Sequence, residues 1–126
     1  MNVPESLRYS VNHEWVMLSG ATVRVGITDV AQDALGEVVH VRLPELGSTV
    51  VVSGLMGEVE STKSVSEIYS PVAGVVARVN DRLRETPGLV NSDPYGEGWV
   101  CELSNVQSGE IDALMDPSAY RRFIGE

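Results

Sequence analysis

The chain has 126 residues with 18 acidic and 9 basic side chains, which gives a formal net charge of −9. This length predicts one domain spanning residues 1–126. The acidic balance argues against nucleic acid and against an anionic membrane as partners. The single cysteine, Cys101, excludes an internal disulfide. No apolar run has the length of a membrane span and no export signal begins the chain, so we expect a cytoplasmic protein.

The first part of the chain is predicted to form short strands with one helix among them. Valine, which favours strands, occurs 21 times in the sequence. Alternation and turn residues predict four strands in this part, at 11–18, 21–27, 37–43 and 45–54. Between the second and third strands, Thr28 can cap a helix, Asp29 lies in its first turn and Gly36 can end it.

The second part continues this pattern as far as residue 103. Strands are predicted at 71–79 and 99–103. Residues 80–91 indicate a turn or a short helix that ends before Pro87, and a turn-rich loop precedes the last strand.

The last eighteen residues are predicted to be helical. Ser108 can cap a helical turn that extends through Leu114. Asp116 can cap a C-terminal helix with Pro117 in its first position. Many short strands with peripheral helices favour a small sandwich or barrel.

Lysine occurs once, at Lys63, beside eight arginines. Val59 alternates with glutamates, as an inward-facing strand residue would. The polar segment from Val59 to Ile68 therefore places Lys63 at an exposed tip, with Glu60 and Glu67 nearby in the sequence. An exposed amine among acids is either a solvated residue with weak ion pairs or a covalent attachment point. The pattern alone leaves both interpretations open.

The sequence contains no pattern typical of a metal site or a catalytic centre. His13, His40 and Cys101 lack the spacing of metal ligands. The chain also lacks a nucleophile elbow and a phosphate-binding glycine loop. Cys101 lies in an apolar run and is expected to pack in the core. We therefore expect no catalytic residue and no metal.

Six fragments of the chain carry a family resemblance through their order and spacing. They are YSVNHEW at 9–15, VGITDVAQDALGEVV at 25–39, LPELG at 43–47, GEVESTKSVSEIYSPVAGVV at 57–76, LVNSDPYGEGW at 89–99 and AYRRF at 119–123. Together they resemble the H proteins of the glycine cleavage system over almost the entire length. The context E-S-x-K-S resembles a lipoyl-lysine site, with Lys63 as the attachment residue and Glu60, Ser61, Thr62 and Ser64 as its motif. Biotinyl domains differ because they usually place methionines on both sides of their lysine.

The resemblance implies both a fold and a function. The fold would be mainly β, a lipoyl-domain-like barrel-sandwich hybrid of two antiparallel sheets with short peripheral helices and a C-terminal helix. The protein would be a non-catalytic carrier that holds lipoate on Lys63 and is a monomer when free. Its partners would be the pyridoxal-phosphate glycine decarboxylase (P protein), the folate-dependent aminomethyltransferase (T protein), dihydrolipoyl dehydrogenase (L protein) and lipoate attachment enzymes. The lipoyl arm would carry an aminomethyl group from the first partner to the second, and the third would reoxidise it.

The resemblance also implies a surface cleft that shields the loaded arm. The aminomethyl group bears a positive amine, which a carboxylate can hold. Glu14, in the matching His-Glu-Trp motif, is the leading candidate, and Glu67 is the second. The chain departs from common family residues at Ala34, Val30 and Asn12. Ala34 cannot form a hydrogen bond to the arm, whereas the carrier role does not depend on these positions.

The sequence is also compatible with two alternatives. A related lipoyl-relay protein would supply its lipoyl group to 2-oxoacid dehydrogenase complexes instead of using it for glycine. An interaction module that kept the fold would carry no modification at all. Neighbouring genes would separate the first alternative from glycine cleavage, and intact mass would identify the second.

Overall fold

The computed structural model describes residues 1–126 as nine strands and five short helices. The strands are β1 Arg8–Tyr9, β2 Glu14–Ser19, β3 Thr22–Ile27, β4 Val38–Arg42, β5 Thr49–Val50, β6 Leu55–Ser61, β7 Val65–Tyr69, β8 Gly74–Val79 and β9 Cys101–Ser104. The helices are α1 Asp29–Leu35, α2 Arg82–Glu85, α3 Leu89–Ser92, α4 Ser108–Asp112 and α5 Pro117–Phe123. None of them combines the length and the apolar character that a bilayer crossing requires.

The strands form two antiparallel sheets. One has six strands in the order β1-β2-β3-β9-β8-β5, and the other has three in the order β4-β6-β7. A cluster of 18 buried side chains includes Val25 from the larger sheet and Val41, Val59 and Ile68 from the smaller one. Because one cluster contains side chains from both sheets, the sheets pack against each other. The expected mainly β fold with short peripheral helices is confirmed.

Three of the helix ends that the sequence predicts are also confirmed. The Thr28 side chain caps α1 by accepting a hydrogen bond from the backbone N–H of Ala31. Gly36 ends this helix with a φ of 78°, a region that favours glycine. The Asp116 side chain caps α5 by accepting from the backbone N–H of Ala119.

Other local expectations are wrong. Ser108 is the first residue of α4 instead of its cap; Gln107 is the cap and makes no side-chain hydrogen bond there. The short helix expected before Pro87 is present as α2, but a second short helix, α3, follows this proline. The valine-rich segment 45–54 contributes only the two residues of β5, because the chain leaves the sheet to form a turn.

A second, smaller buried cluster attaches the C-terminal helix to the larger sheet. It consists of six side chains: Val3, Leu7, Tyr9, Trp15, Trp99 and Tyr120. The rings of Tyr9 and Tyr120 are stacked, with centroids 4.5 Å apart and an interplanar angle of 9°. Tyr120, from α5, is thereby held against β1 and β2, close to the segment that precedes β2.

Candidate functional site

Lys63 lies at the exposed tip of the hairpin formed by β6 and β7. The Ser61 hydroxyl oxygen accepts hydrogen bonds from the backbone N–H groups of Lys63 and Ser64, at 3.2 and 3.1 Å. The backbone N–H of Ser61 donates to the carbonyl of Ser64 at 2.8 Å. A serine side chain therefore closes this turn, which contains no asparagine–glycine pair.

The tip is tied to the rest of the protein through its backbone. The N–H of Thr62 donates to the carbonyl of Glu37 at 3.0 Å, just after α1 ends. Glu60 and Glu67 flank the tip on the two strands, and neither forms a salt bridge with Lys63. The lysine backbone is thus held in place while its amine remains free of ion pairs.

The side chain of Lys63 runs past Gly36, the residue that ends α1. A β-carbon at position 36 would lie 2.9 Å from Cε of Lys63 and 3.4 Å from its Nζ. The first of these separations is shorter than ordinary van der Waals contact, so the end of the lysine side chain would have to move. The missing side chain of Gly36 therefore makes room for the lysine stem beside the end of the helix.

A groove of about 330 Å³ opens beside the hairpin. Its lining comes from the 12–14 segment, helix α1 and the hairpin strand β7 with Ser64 before it, together with Ile27 at the end of β3 and Val59 of β6. It therefore extends from the immediate neighbour of Lys63 to Glu14. Of the three positions where the chain departs from common family residues, Asn12 and Ala34 line the groove, whereas Val30 packs against the smaller buried cluster.

Glu14 is the buried carboxylate of this groove. It begins β2, and only 2% of its surface is exposed. Its Oε1 accepts from the hydroxyl of Ser10 at 2.6 Å, and its Oε2 accepts from the backbone N–H of Tyr69 at 3.3 Å. Burial raises the pKa of Glu14 from 4.5 to about 7, and the two hydrogen bonds oppose this rise. A carboxylate can accept about four hydrogen bonds, so Glu14 retains capacity for another donor.

A second cavity, of about 160 Å³, also reaches Glu14. Ser10, Ser53 and Ser70 are among its lining residues. Asn12 and Glu14 line both cavities, so Glu14 borders the second opening as well as the groove. Sequence reasoning did not reveal this second opening, because its lining residues are far apart along the chain.

Glu67, the second expected carboxylate, lines the groove from β7 but differs from Glu14 in being exposed. Its Oε2 accepts a hydrogen bond from the hydroxyl of Tyr69 at 3.0 Å. Water surrounds Glu67 and weakens its attraction for a cation. The buried Glu14 is therefore the stronger site for holding a positive group.

His13 is a groove residue to which the sequence assigned no function. Its backbone has a φ of 65°, and its Nδ1 lies 2.7 Å from the hydroxyl oxygen of Tyr120. Burial lowers the pKa of His13. The only sequence signal was its place in the His-Glu-Trp motif, because its partner is 107 positions away. No three His, Cys, Asp or Glu side chains converge anywhere as metal ligands would.

Comparisons with known proteins agree on one family. The family model for the glycine cleavage H-protein matches residues 7–126. The glycine cleavage system H protein of Micrococcus luteus is 56% identical over 121 residues, which cover 94% of this chain and 94% of that protein. The glycine cleavage system H protein of Thermus thermophilus is 48% identical over 124 residues, with coverage of 98% and 97%. The crystal structure of a glycine cleavage system H protein from Mycobacterium marinum is similar with a TM-score of 0.88 at 38% identity, covering 98% of this chain and 100% of that one.

Proposed function

We propose, because the chain belongs to the glycine cleavage H-protein family, that it is a carrier that holds lipoate on Lys63 through an amide bond. The single observation that supports this most strongly is the position of Lys63. The only lysine of the chain lies exposed and unpaired at the tip of a hydrogen-bonded hairpin, beside a groove that leads to a buried carboxylate. The whole chain, 1–126, would act as one lipoyl-carrier domain.

The attachment motif suits recognition by a lipoate attachment enzyme. Ser61 holds the turn through its side chain, and Thr62 ties it to the end of α1 through its backbone. Glu60 and Ser64 flank the lysine and are exposed. An attachment enzyme would therefore meet a preformed loop and would not have to order it, which reduces the entropic cost of binding.

The lining and the charge of the groove support binding of the lipoyl group there. Gly36 leaves space for the lysine stem, and apolar side chains of α1 line the groove beyond it. Lipoate would supply a disulfide that is reduced as it accepts an aminomethyl group and is reoxidised after that group has left. Glu14 would hold the positive amine of this cargo by a charge-assisted hydrogen bond. Glu67 would add a weaker attraction from the exposed side of the groove.

The carrier would perform no catalysis of its own. We propose that it receives the aminomethyl group at a glycine decarboxylase, delivers it to an aminomethyltransferase and is reoxidised by a dihydrolipoyl dehydrogenase. Tethering the cargo to one protein raises its effective concentration at each partner. The lone, buried Cys101 is compatible with a reducing compartment, which favours action in the cytoplasm.

Intact mass tests the attachment site directly. The chain is expressed in lipoate-competent cells as wild type and as Lys63→Arg, which keeps the positive charge but lacks the amine needed for the amide. The wild type is expected to gain one lipoyl group, and Lys63→Arg is expected to gain none while unfolding at the same urea concentration. Lipoylated Lys63→Arg protein would contradict the assignment, and an unmodified wild type would favour an interaction module.

A second assay separates glycine cleavage from lipoyl relay. The lipoylated protein is mixed with a glycine decarboxylase and glycine, and the fraction carrying the aminomethyl group is measured by mass. We expect this fraction to rise with time. Failure to accept the group, together with transfer of lipoyl to a 2-oxoacid dehydrogenase subunit, would instead indicate the relay function.

A further inference from the structure

We propose that Tyr120 is a positioning residue of the groove, and that its buried hydroxyl holds His13 as the neutral imidazole with its proton on Nε2. The proposal rests on the proposed carrier function, because it concerns the groove wall beside the cargo. Tyr120 belongs to the C-terminal helix and is completely buried. It does not line the groove itself, so it can act there only through His13.

Three side chains form a continuous hydrogen-bonded chain into the groove wall. The Tyr120 hydroxyl oxygen lies 2.7 Å from Nδ1 of His13 and 2.8 Å from Oγ1 of Thr28. Thr28 is also completely buried and caps α1, the helix that lines the groove. One hydroxyl of α5 therefore contacts both the 12–14 segment and the cap of α1.

The direction of the protons follows from the buried hydroxyl of Thr28. Its oxygen accepts from the backbone N–H of Ala31 at 3.3 Å, and its hydrogen needs an acceptor. The Tyr120 oxygen is the acceptor within reach. The Tyr120 hydrogen must then point to His13, whose Nδ1 accepts it as an unprotonated nitrogen. The neutral imidazole consequently carries its hydrogen on Nε2.

A proton on Nδ1 would reverse this chain. The hydroxyl of Tyr120 would have to turn towards Thr28, and the Thr28 hydrogen would remain buried without an acceptor. Such an unsatisfied group is unfavourable, so the arrangement opposes both the other tautomer and the protonated imidazole.

The backbone around His13 supports a positioning role. Its φ of 65° lies in the left-handed region, which is unfavourable for a residue other than glycine. Its N–H donates to the carbonyl of Ser10 at 3.2 Å, and its carbonyl accepts from the N–H of Thr28 at 2.9 Å. The bond to Tyr120 adds a side-chain contact that holds this strained residue in one orientation.

The surrounding charges show why a neutral His13 matters. The acidic side chains nearest in the groove are Glu14 and Glu67, and Asp29 begins the adjacent helix. Burial of the imidazole, whose ring centroid lies 5.8 Å from that of Phe123, lowers the pKa of His13 and opposes its protonation despite these acidic neighbours. A positive His13 beside Glu14 would compete with the cationic amine of the cargo. The neutral form leaves Glu14 free to hold the amine.

Imidazole nitrogen spectra of the unmodified protein test this proposal independently of lipoate. The protein contains two histidines, and the His40→Gln variant assigns the signals of the other. At pH 7 the wild type is expected to show His13 protonated on Nε2 alone. Tyr120→Phe, which keeps the ring and removes the hydroxyl, is expected to show a mixture of tautomers and a higher pKa for His13.

Tyr9→Phe is the matched control. It removes a hydroxyl from the same ring stack, but that hydroxyl donates to the carbonyl of Pro4 and does not contact His13. Its His13 spectrum is expected to match the wild type. A wild-type His13 protonated on Nδ1 would overturn the proposal even if the Tyr120 variant failed to fold. So would a Tyr120→Phe spectrum identical to wild type.

Retention of the cargo is the second readout. In the lipoylated protein, Tyr120→Phe is expected to release its aminomethyl group to water about fivefold faster than wild type, as loss of one hydrogen bond implies. Release is followed as formaldehyde. Equal release rates despite a changed tautomer would overturn the positioning role. Absence of lipoylation on the wild type would contradict the carrier function instead, and the imidazole spectra would still decide the tautomer.

Discussion

Replacing Glu14 with glutamine is predicted to stabilise the fold above pH 7 and to weaken retention of the cargo. In the folded protein, burial raises the pKa of Glu14 from 4.5 to about 7. Between these two values the folded state holds a proton that the unfolded state has released. The contribution of Glu14 to the free energy of unfolding therefore falls as the pH rises through this window, and it remains low above pH 7.

The size of this effect follows from the two pKa values. The difference between 4.5 and about 7 corresponds to about 3 kcal/mol of unfolding free energy. Glutamine resembles the protonated carboxyl and has no charge to bury. Its oxygen can accept from the backbone N–H of Tyr69 and its amide can donate to Ser10, which reverses the present bond and obliges the Ser10 hydroxyl hydrogen to find another acceptor. Glu14→Gln should therefore gain up to about 3 kcal/mol at pH 8 and almost nothing at pH 4.5.

Urea unfolding at the two pH values measures this difference. Asp33→Asn is the matched control, because it removes one negative charge from an exposed position on α1. The control is expected to change the free energy of unfolding by less than about 0.5 kcal/mol at both values. Equal stability of Glu14→Gln and wild type at pH 8 would show that burial of the ionised Glu14 does not lower the free energy of unfolding.

The same variant tests the proposed role of Glu14 towards the cargo. A neutral amide replaces a charge-assisted hydrogen bond with a weaker one, so formaldehyde release from the loaded protein should be about tenfold faster. Reduction and reoxidation of the unloaded lipoylated protein should be unchanged. If release stayed at the wild-type rate while decarboxylase turnover fell, Glu14 would be a docking residue and the assignment would be wrong.

Two further predictions concern the lysine stem and the larger sheet. Gly36→Ala and Gly47→Ala should each lower the unfolding free energy by about 1–2 kcal/mol, because both glycines have positive φ. Only Gly36→Ala, whose β-carbon would meet Lys63, should also release the cargo faster than wild type. Equally fast release from Gly47→Ala would show that backbone strain, and not the contact with Lys63, causes the release. Glu102→Ala should lower the unfolding free energy in urea by about 3 kcal/mol, because it removes a buried carboxylate that pairs with Arg24 at 2.8 Å. Wild-type stability for this variant would contradict that reasoning.

Features that depend on neighbouring residues could be predicted from the sequence. The caps at Thr28 and Asp116 and the helix end at Gly36 each involve atoms within four positions of one another. Val59 alternates with polar residues and is buried as expected. The exposed position of Lys63 follows from the same alternation in β6. Such signals depend on local geometry, which the order of residues largely determines.

Features that depend on distant contacts could not be predicted in this way. Val51 and Val52 favour a strand by propensity but are exposed in a turn, where the N–H of Ser53 donates to the carbonyl of Ser70. Tertiary contacts overrode strand propensity at this point. Two-residue strand β1 is too short to show any pattern, and the burial of Glu14 arises only when the sheets are assembled.

The position of Glu14 makes physical sense under the proposed function. Burial of its carboxylate is unfavourable for folding, and the hydrogen bonds from Ser10 and Tyr69 offset only part of this. A cationic amine that entered the groove would stabilise the charged form and lower the pKa of Glu14. The free energy lost in folding would thus be recovered when the cargo is held. A neutral His13 beside it preserves this effect, because no positive side chain satisfies Glu14 before the cargo arrives. The groove would therefore bind the loaded arm more tightly than the empty one, which is the discrimination a carrier between enzymes requires.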